Sequence, residues 1–80
     1  MVDLRTPEET ANGTLPGAVC VDFWSPAFDR YLAEADKRVP QLVYCAHGVR
    51  GQQAVDRMRE AWFIEVHNLA GGLAGWKESP

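Results

Sequence analysis

This chain of 80 residues is short of cysteine, with only Cys20 and Cys45, and it has neither a long hydrophobic run nor a block of like charge. Each shortage removes a class of protein. Two cysteines far apart in sequence do not make the disulfide framework of a small secreted scaffold, so a reducing cytoplasm is the expected compartment. Met1-Val2-Asp3-Leu4 does not open a secretory signal. No apolar run approaches the roughly 20 residues that a membrane-spanning helix needs. The 8 basic and 11 acidic residues are dispersed and sum to −3. There is thus no basic stripe for nucleic acid, no membrane is expected as a partner, and any anion binding must be local. Paired Cys-x-x-Cys knuckles are missing, which argues against zinc held by Cys20, Cys45, His47 and His67; no metal and no cofactor is expected. What remains is one domain, residues 1–80, large enough for a core and small enough for modest stability.

What is there centres on Val43-Tyr44-Cys45-Ala46-His47-Gly48-Val49-Arg50-Gly51. The apolar run Leu42-Val43-Tyr44 delivers Cys45 to its end, a turn follows, and a helical pattern starts at about Arg50 or Gly51. If the turn curls around the sulfur, the main-chain N–H groups of Ala46, His47, Gly48, Val49, Arg50 and Gly51 face inward, and the N-terminus of the next helix adds its partial positive charge. Such a ring cradles an anion and favours the thiolate, the nucleophilic form of cysteine. Gly48 allows positive φ and leaves the sulfur uncovered, while Arg50 offers a planar fork for an oxyanion. A structural cysteine needs none of these neighbours.

The remaining elements follow in order. Met1 to Leu4 reads as a buried parallel strand, with Asp3 and Arg5 at its carboxyl end. Thr6, Pro7 and Glu9 read as N-cap, first helical residue and capping-box partner of a short helix that Asn12-Gly13 stops. Leu15-Pro16-Gly17-Ala18 is a type II turn, and Val19-Cys20-Val21 is a second strand in which Cys20 reads as packing. Ser25-Pro26 opens a helix with Phe28, Tyr31, Leu32 and Ala35 on its core face, and Pro40 ends the connection to the strand carrying Cys45. After the cysteine loop, Ala54, Val55, Met58 and Ala61 form an apolar helical face. A last strand lies within Phe63 to Leu69, with His67 an edge residue, and Gly71 to Trp76 closes the fold by pressing Trp76 onto the core. Alternating strands and helices imply right-handed βαβ units, with ligands bound at the carboxyl ends of the strands.

With these residues in view, nearly the whole chain resembles a rhodanese-like domain of the single-domain sulfurtransferase kind. The resemblance rests on Val2-Asp3-Leu4-Arg5-Thr6-Pro7-Glu8-Glu9, Leu15-Pro16-Gly17-Ala18, Tyr44 to Arg50, and Asn68-Leu69-Ala70-Gly71-Gly72-Leu73-Ala74-Gly75-Trp76. It implies an α/β three-layer sandwich around a mostly parallel sheet of four strands, the family's usual N-terminal edge strand and helix being absent from an N-terminally shortened domain. It also implies that Cys45 takes a sulfane sulfur as a persulfide and passes it to cyanide or a thiol. Arg50 and the loop amides would bind the small anionic donor, thiosulfate being the family's reference substrate. The six-residue loop from Cys45 to Arg50 matches sulfurtransferases, whereas the phosphatases sharing this fold use one residue more. The missing edge exposes a strand beside Val66 to Leu69 through which a homodimer would form, and a catalytically weak binding module is the alternative function. Two departures stand out: Gly51 where serine is common, and Trp62 where a glycine normally ends the helix.

Overall fold

A computed structural model describes residues 1–78. In chain order the elements are β1 (Val2–Asp3), α1 (Pro7–Thr10), β2 (Val19–Cys20), α2 (Pro26–Glu34), β3 (Gln41–Tyr44), α3 (Val49–Glu60), β4 (Val66–Asn68) and α4 (Gly72–Glu78). The strands form one all-parallel sheet in the order β2-β1-β3-β4, with Val2 opposite both Val19 and Val43, and Gln41 opposite Val66. The architecture is the expected α/β arrangement, with four strands and β4 at one edge, although the strands are shorter than the apolar runs that announced them.

Strand alternation decides what each face does. Val2, Val43 and Val66 project to one side, where they join Phe28 of α2 and Ala54, Val55 and Met58 of α3 in a single core. The stripe Tyr31, Leu32 and Ala35 packs against that core as its spacing predicts, though only partly buried. On the other side lie Asp3 and Tyr44, directly opposite one another in register. Tyr44 is fully buried and its hydroxyl accepts from the Leu15 amide at 3.0 Å, which ties residues 12–15 to this face. α4 shares that cover, since Leu73 and Trp76 line one cavity with Asn12 to Leu15.

Two packing expectations are corrected. Cys20 is exposed, because β2 is an edge strand of the sheet and residue 20 lies in an open cleft beside Pro7 and Thr10; both cysteines are free thiols. Trp76 does not press onto the core but stays 54% exposed, and Leu73, three residues earlier on α4, is the buried anchor. No helix of the described residues is long and apolar enough to cross a membrane.

The helix ends behave as their residues dictate. Thr6 and Glu9 close the capping box reciprocally, with Pro7 at the first position, and Ser25 caps α2 from its side chain. α3 ends in a Schellman motif: the Phe63 amide donates to the Met58 carbonyl and the Trp62 amide to the Arg59 carbonyl, both at 3.1 Å. The left-handed residue of that motif is Trp62, at φ 72°, with its indole 85% exposed. A side chain there costs about 1 kcal/mol relative to glycine and gains no packing in return. Trp62→Gly is therefore expected to raise stability by about 1 kcal/mol, or the melting temperature by roughly 4–8 °C. An unchanged or lowered urea midpoint would refute this account of the turn.

Candidate active site

β3 carries Cys45 to the carboxyl end of the sheet, where the thiol is 1% exposed. The loop is tighter than its sequence suggested: α3 begins at Val49, because Gly48 takes the left-handed conformation, φ 102°, and serves as its N-cap. The sulfur accepts the main-chain N–H of Gly48 at 3.1 Å and of Gly51 at 3.3 Å. The N–H groups of Ala46, His47, Val49 and Arg50 have no acceptor among the described residues. Half of the arrangement is thus a sulfur held by two amides, and the other half is a set of open donors beside it.

What aims those donors lies outside the loop. The Cys45 carbonyl accepts the Leu73 amide at 2.8 Å and the Ala46 carbonyl accepts the Ala74 amide at 3.0 Å, so both carbonyls are drawn toward the start of α4. In a planar trans peptide the following N–H points the opposite way, which turns the Ala46 and His47 amides away from α4. Gly72 makes the approach possible. It sits at φ +62°, and a Cβ there would lie 2.6 Å from both the Ala46 carbonyl carbon and the His47 nitrogen. On the opposite side Asn68, at the end of β4, donates from Nδ2 to the Gly48 carbonyl at 3.1 Å. Its Oδ1 is buried without a partner among the described residues, against Gly51. A Cβ on residue 51 would lie 2.7 Å from the Asn68 Cγ, so glycine stands at this position because Asn68 occupies the space a side chain would need.

Arg50 is placed differently from expectation. Its fork does not stand open: Nη1 and Nη2 donate to Oε1 and Oε2 of Glu9 at 2.7 and 3.0 Å. The Arg50 pair is the main reason that the Glu9 carboxyl, ordinarily near 4.5, is held down at about 2. The guanidinium in turn is held more firmly protonated, by Glu9 first, with Cys45 and Asp22 adding to it. Asp3 and Arg5 form a second pair at the carboxyl end of β1, Arg5 Nη2 to Asp3 Oδ2 at 2.9 Å, and Arg5 Nη2 also donates to the Gly13 carbonyl at 2.7 Å. Burial alone would push the Asp3 carboxyl up; the Arg5 hydrogen bonds outweigh it and hold the carboxyl below its ordinary range. His47 is exposed at the rim.

Of the residues predicted for the site, Cys45, Ala46, His47, Gly48, Val49, Arg50 and Gly51 come together as one loop, with Asp3 and Arg5 alongside. Among the described residues no three of His, Cys, Asp or Glu converge as metal ligands, so Cys20, His47 and His67 do not gather around Cys45. Sequence reasoning missed three contributors: Glu9 as partner of Arg50, Asn68 as clamp, and Gly72 as the point of close approach. The Gly71-Gly72 doublet was the one local signal among them.

Parallel strands feeding a cysteine loop, with two of its main-chain amides donating to the sulfur, define a class: α/β domains with a cysteine held in a main-chain amide loop at the carboxyl end of the sheet. Within that class the chain belongs to the rhodanese-like domain family, whose profile it matches over residues 1–79. It is 45% identical over 47 residues to the thiosulfate sulfurtransferase GlpE of Coxiella burnetii, a stretch covering 59% of this chain and 44% of that relative. It thus spans less than half the length of that protein. With the GlpE of Shewanella oneidensis it shares 32% identity over 79 residues, 99% of this chain and 76% of the relative. Among solved structures, the Rhodanese_3 like domain of the Anabaena protein Alr3790 superposes with a TM-score of 0.83 at 32% identity, covering 99% of this chain and 92% of that one. A rhodanese-like domain protein from Staphylococcus aureus gives 0.84 at 31% identity, covering 94% and 71%.

Proposed function

We propose that this domain is a sulfurtransferase in which Cys45 carries a sulfane sulfur as a persulfide. The Cys45 thiolate attacks the outer sulfur of a small anionic donor, thiosulfate or a persulfide; the donor's S–S bond breaks, its remainder leaves with the electron pair, and Cys45 holds the transferred sulfur. Cyanide or a thiolate then attacks that outer sulfur and releases the Cys45 thiolate. The attacking species in this step is the thiolate. The observation that carries this reading is the pair of amides, Gly48 and Gly51, donating to Sγ, with the Ala46, His47, Val49 and Arg50 amides open beside it. Such oriented dipoles stabilise negative charge on sulfur both before and after transfer. The names of the GlpE relatives point the same way.

The test is intact mass after incubation with thiosulfate or with a persulfide. One added sulfur is expected, removable by cyanide and absent in Cys45→Ser; a folded protein that takes up no sulfur from either donor would end the proposal. A second reading, association of two copies through the sheet edge, is favoured by β4, which among the described residues pairs only with β3 and is flanked by Ile64, 72% exposed. Light scattering of the purified chain distinguishes dimer from monomer.

A further inference from the structure

The loop's one guanidinium is already spoken for. Glu9 binds both of its terminal nitrogens, and Glu9 is itself fixed, because Oε1 also accepts from the Thr6 amide at 2.9 Å and the Thr6 hydroxyl at 3.2 Å. Pro7 and the capping box hold that turn of α1 in place, so the carboxylate cannot follow Arg50 toward a ligand. An arginine that left for a donor would strand an anion beside the loop. The second guanidinium in the neighbourhood, Arg5, is likewise taken by Asp3 and the Gly13 carbonyl. Asp22 adds another negative charge to those acting on Arg50. The open donors that remain beside the sulfur are main-chain amides, so a donor bearing two negative charges would meet them without a free guanidinium to balance the second charge.

We infer that Glu9 is a specificity-determining residue which, by holding Arg50, directs Cys45 toward a thiol persulfide, R–S–SH, and away from thiosulfate. The inference rests on the sulfur-transfer reading and narrows its donor. In the step, the Cys45 thiolate attacks the terminal sulfur of R–S–SH, the S–S bond breaks, and its electron pair leaves on R–S⁻, while Cys45–S–SH keeps the transferred sulfur and its proton. With thiosulfate the same attack brings two further negative charges to the loop and must release sulfite from beside Glu9 and Asp22. A persulfide brings at most one.

Glu9→Gln separates charge from architecture, since glutamine retains the carbonyl oxygen that the capping box uses. The experiment loads wild-type and E9Q protein with thiosulfate or with glutathione persulfide at equal concentration and follows Cys45 persulfide by mass. Wild type is expected to load faster from the persulfide. In E9Q the ratio of thiosulfate to persulfide loading is expected to rise roughly tenfold, a shift of about 1.4 kcal/mol, carried by a lower KM for thiosulfate. A persulfide borne on a carrier protein, run in parallel, distinguishes a small donor from a protein donor; preference for either over thiosulfate supports the assignment. Wild-type protein that favours thiosulfate, or an E9Q ratio equal to wild type, would overturn it while leaving Cys45 persulfide chemistry intact. Failure of every donor to load would instead remove the sulfur-transfer reading and this inference together.

Discussion

Gly72→Val is expected to lower stability by about 3 kcal/mol or more, a shift of at least roughly 12 °C in melting temperature for a domain of this size, and to abolish sulfur loading on Cys45. Two penalties coincide at this residue. Its φ of +62° is costly for any side chain, and a Cβ would fall within 2.6 Å of backbone atoms of Ala46 and His47. Because those atoms belong to the cysteine loop, relief can come only by moving α4 away. That movement breaks the Leu73 and Ala74 bonds that orient the Cys45 and Ala46 peptides. The comparison is Gly17→Ala. Gly17 has φ +82° but nothing within 4 Å of its missing Cβ, so only the backbone penalty of about 1 kcal/mol applies and loading should persist. Equal losses in the two variants, measured by urea unfolding, would show that close packing on the loop contributes nothing.

What the sequence disclosed and what it hid divide along the range of the interaction. Thr6 with Glu9, Ser25 with Pro26, and the periodic faces of α2 and α3 were legible because cap and face are written within a turn or two of chain. Cys45 was legible for a similar reason: glycine and arginine at close spacing after an apolar run describe a loop, and the loop holds its own sulfur. The alternation of strands and helices implied an α/β sandwich around a mostly parallel sheet, and the resemblance to rhodanese-like domains added the count of four strands. Arg50's partner was not legible, since Glu9 lies 41 residues earlier and had a complete local role in the capping box. The misreadings of Cys20 and Trp76 share a cause. Both sit in apolar contexts, but burial depends on how fully another element covers the residue: Cys20 lies on an edge strand, and Trp76 lines an open cavity with Asn12 to Leu15 that leaves it 54% exposed. Trp62 shows the converse: the resemblance marks its position as one where glycine ends the helix, and the turn keeps the left-handed geometry with tryptophan in place.

Around the sulfur the charged side chains are paired with each other, and several main-chain amides of the loop have no acceptor among the described residues. Glu9 takes Arg50 and Asp3 takes Arg5. Asn68 takes the Gly48 carbonyl, and α4 takes the carbonyls of Cys45 and Ala46. Among the described residues these pairings leave the Asn68 Oδ1 without a donor, and the Ala46, His47, Val49 and Arg50 amides without acceptors. Such donors are fixed by the chain and need no reorganisation when charge arrives, which is the condition under which dipoles stabilise an anion most effectively.

The deepest of these pairs should also be the most costly to break. Asp3 is fully buried and accepts from the Arg5 amide at 3.0 Å and from Arg5 Nε and Nη2, while Arg5 itself is 8% exposed. Asp3→Asn leaves the guanidinium buried with no countercharge, and the expected loss at pH 7 is about 3–5 kcal/mol, a large share of the whole stability of a domain this small. Removing both charges, Asp3→Leu with Arg5→Leu, should cost less than D3N alone, because a missing pair has no charge left to desolvate. The pH dependence has a definite sign. The Asp3 carboxyl titrates below its ordinary 3.8 in the folded protein, so its stabilisation is fully present above that value and is lost as pH falls through the folded one. Glu9 acts in the same direction between 4.5 and about 2. Wild-type stability should therefore decline below about pH 4, and the gap between wild type and D3N should be narrower at about pH 3 than at pH 7. Urea midpoints at the two pH values measure both. If D3N lies within about 1 kcal/mol of wild type at neutral pH, the buried charge of Arg5 is satisfied without Asp3, by its bond to the Gly13 carbonyl.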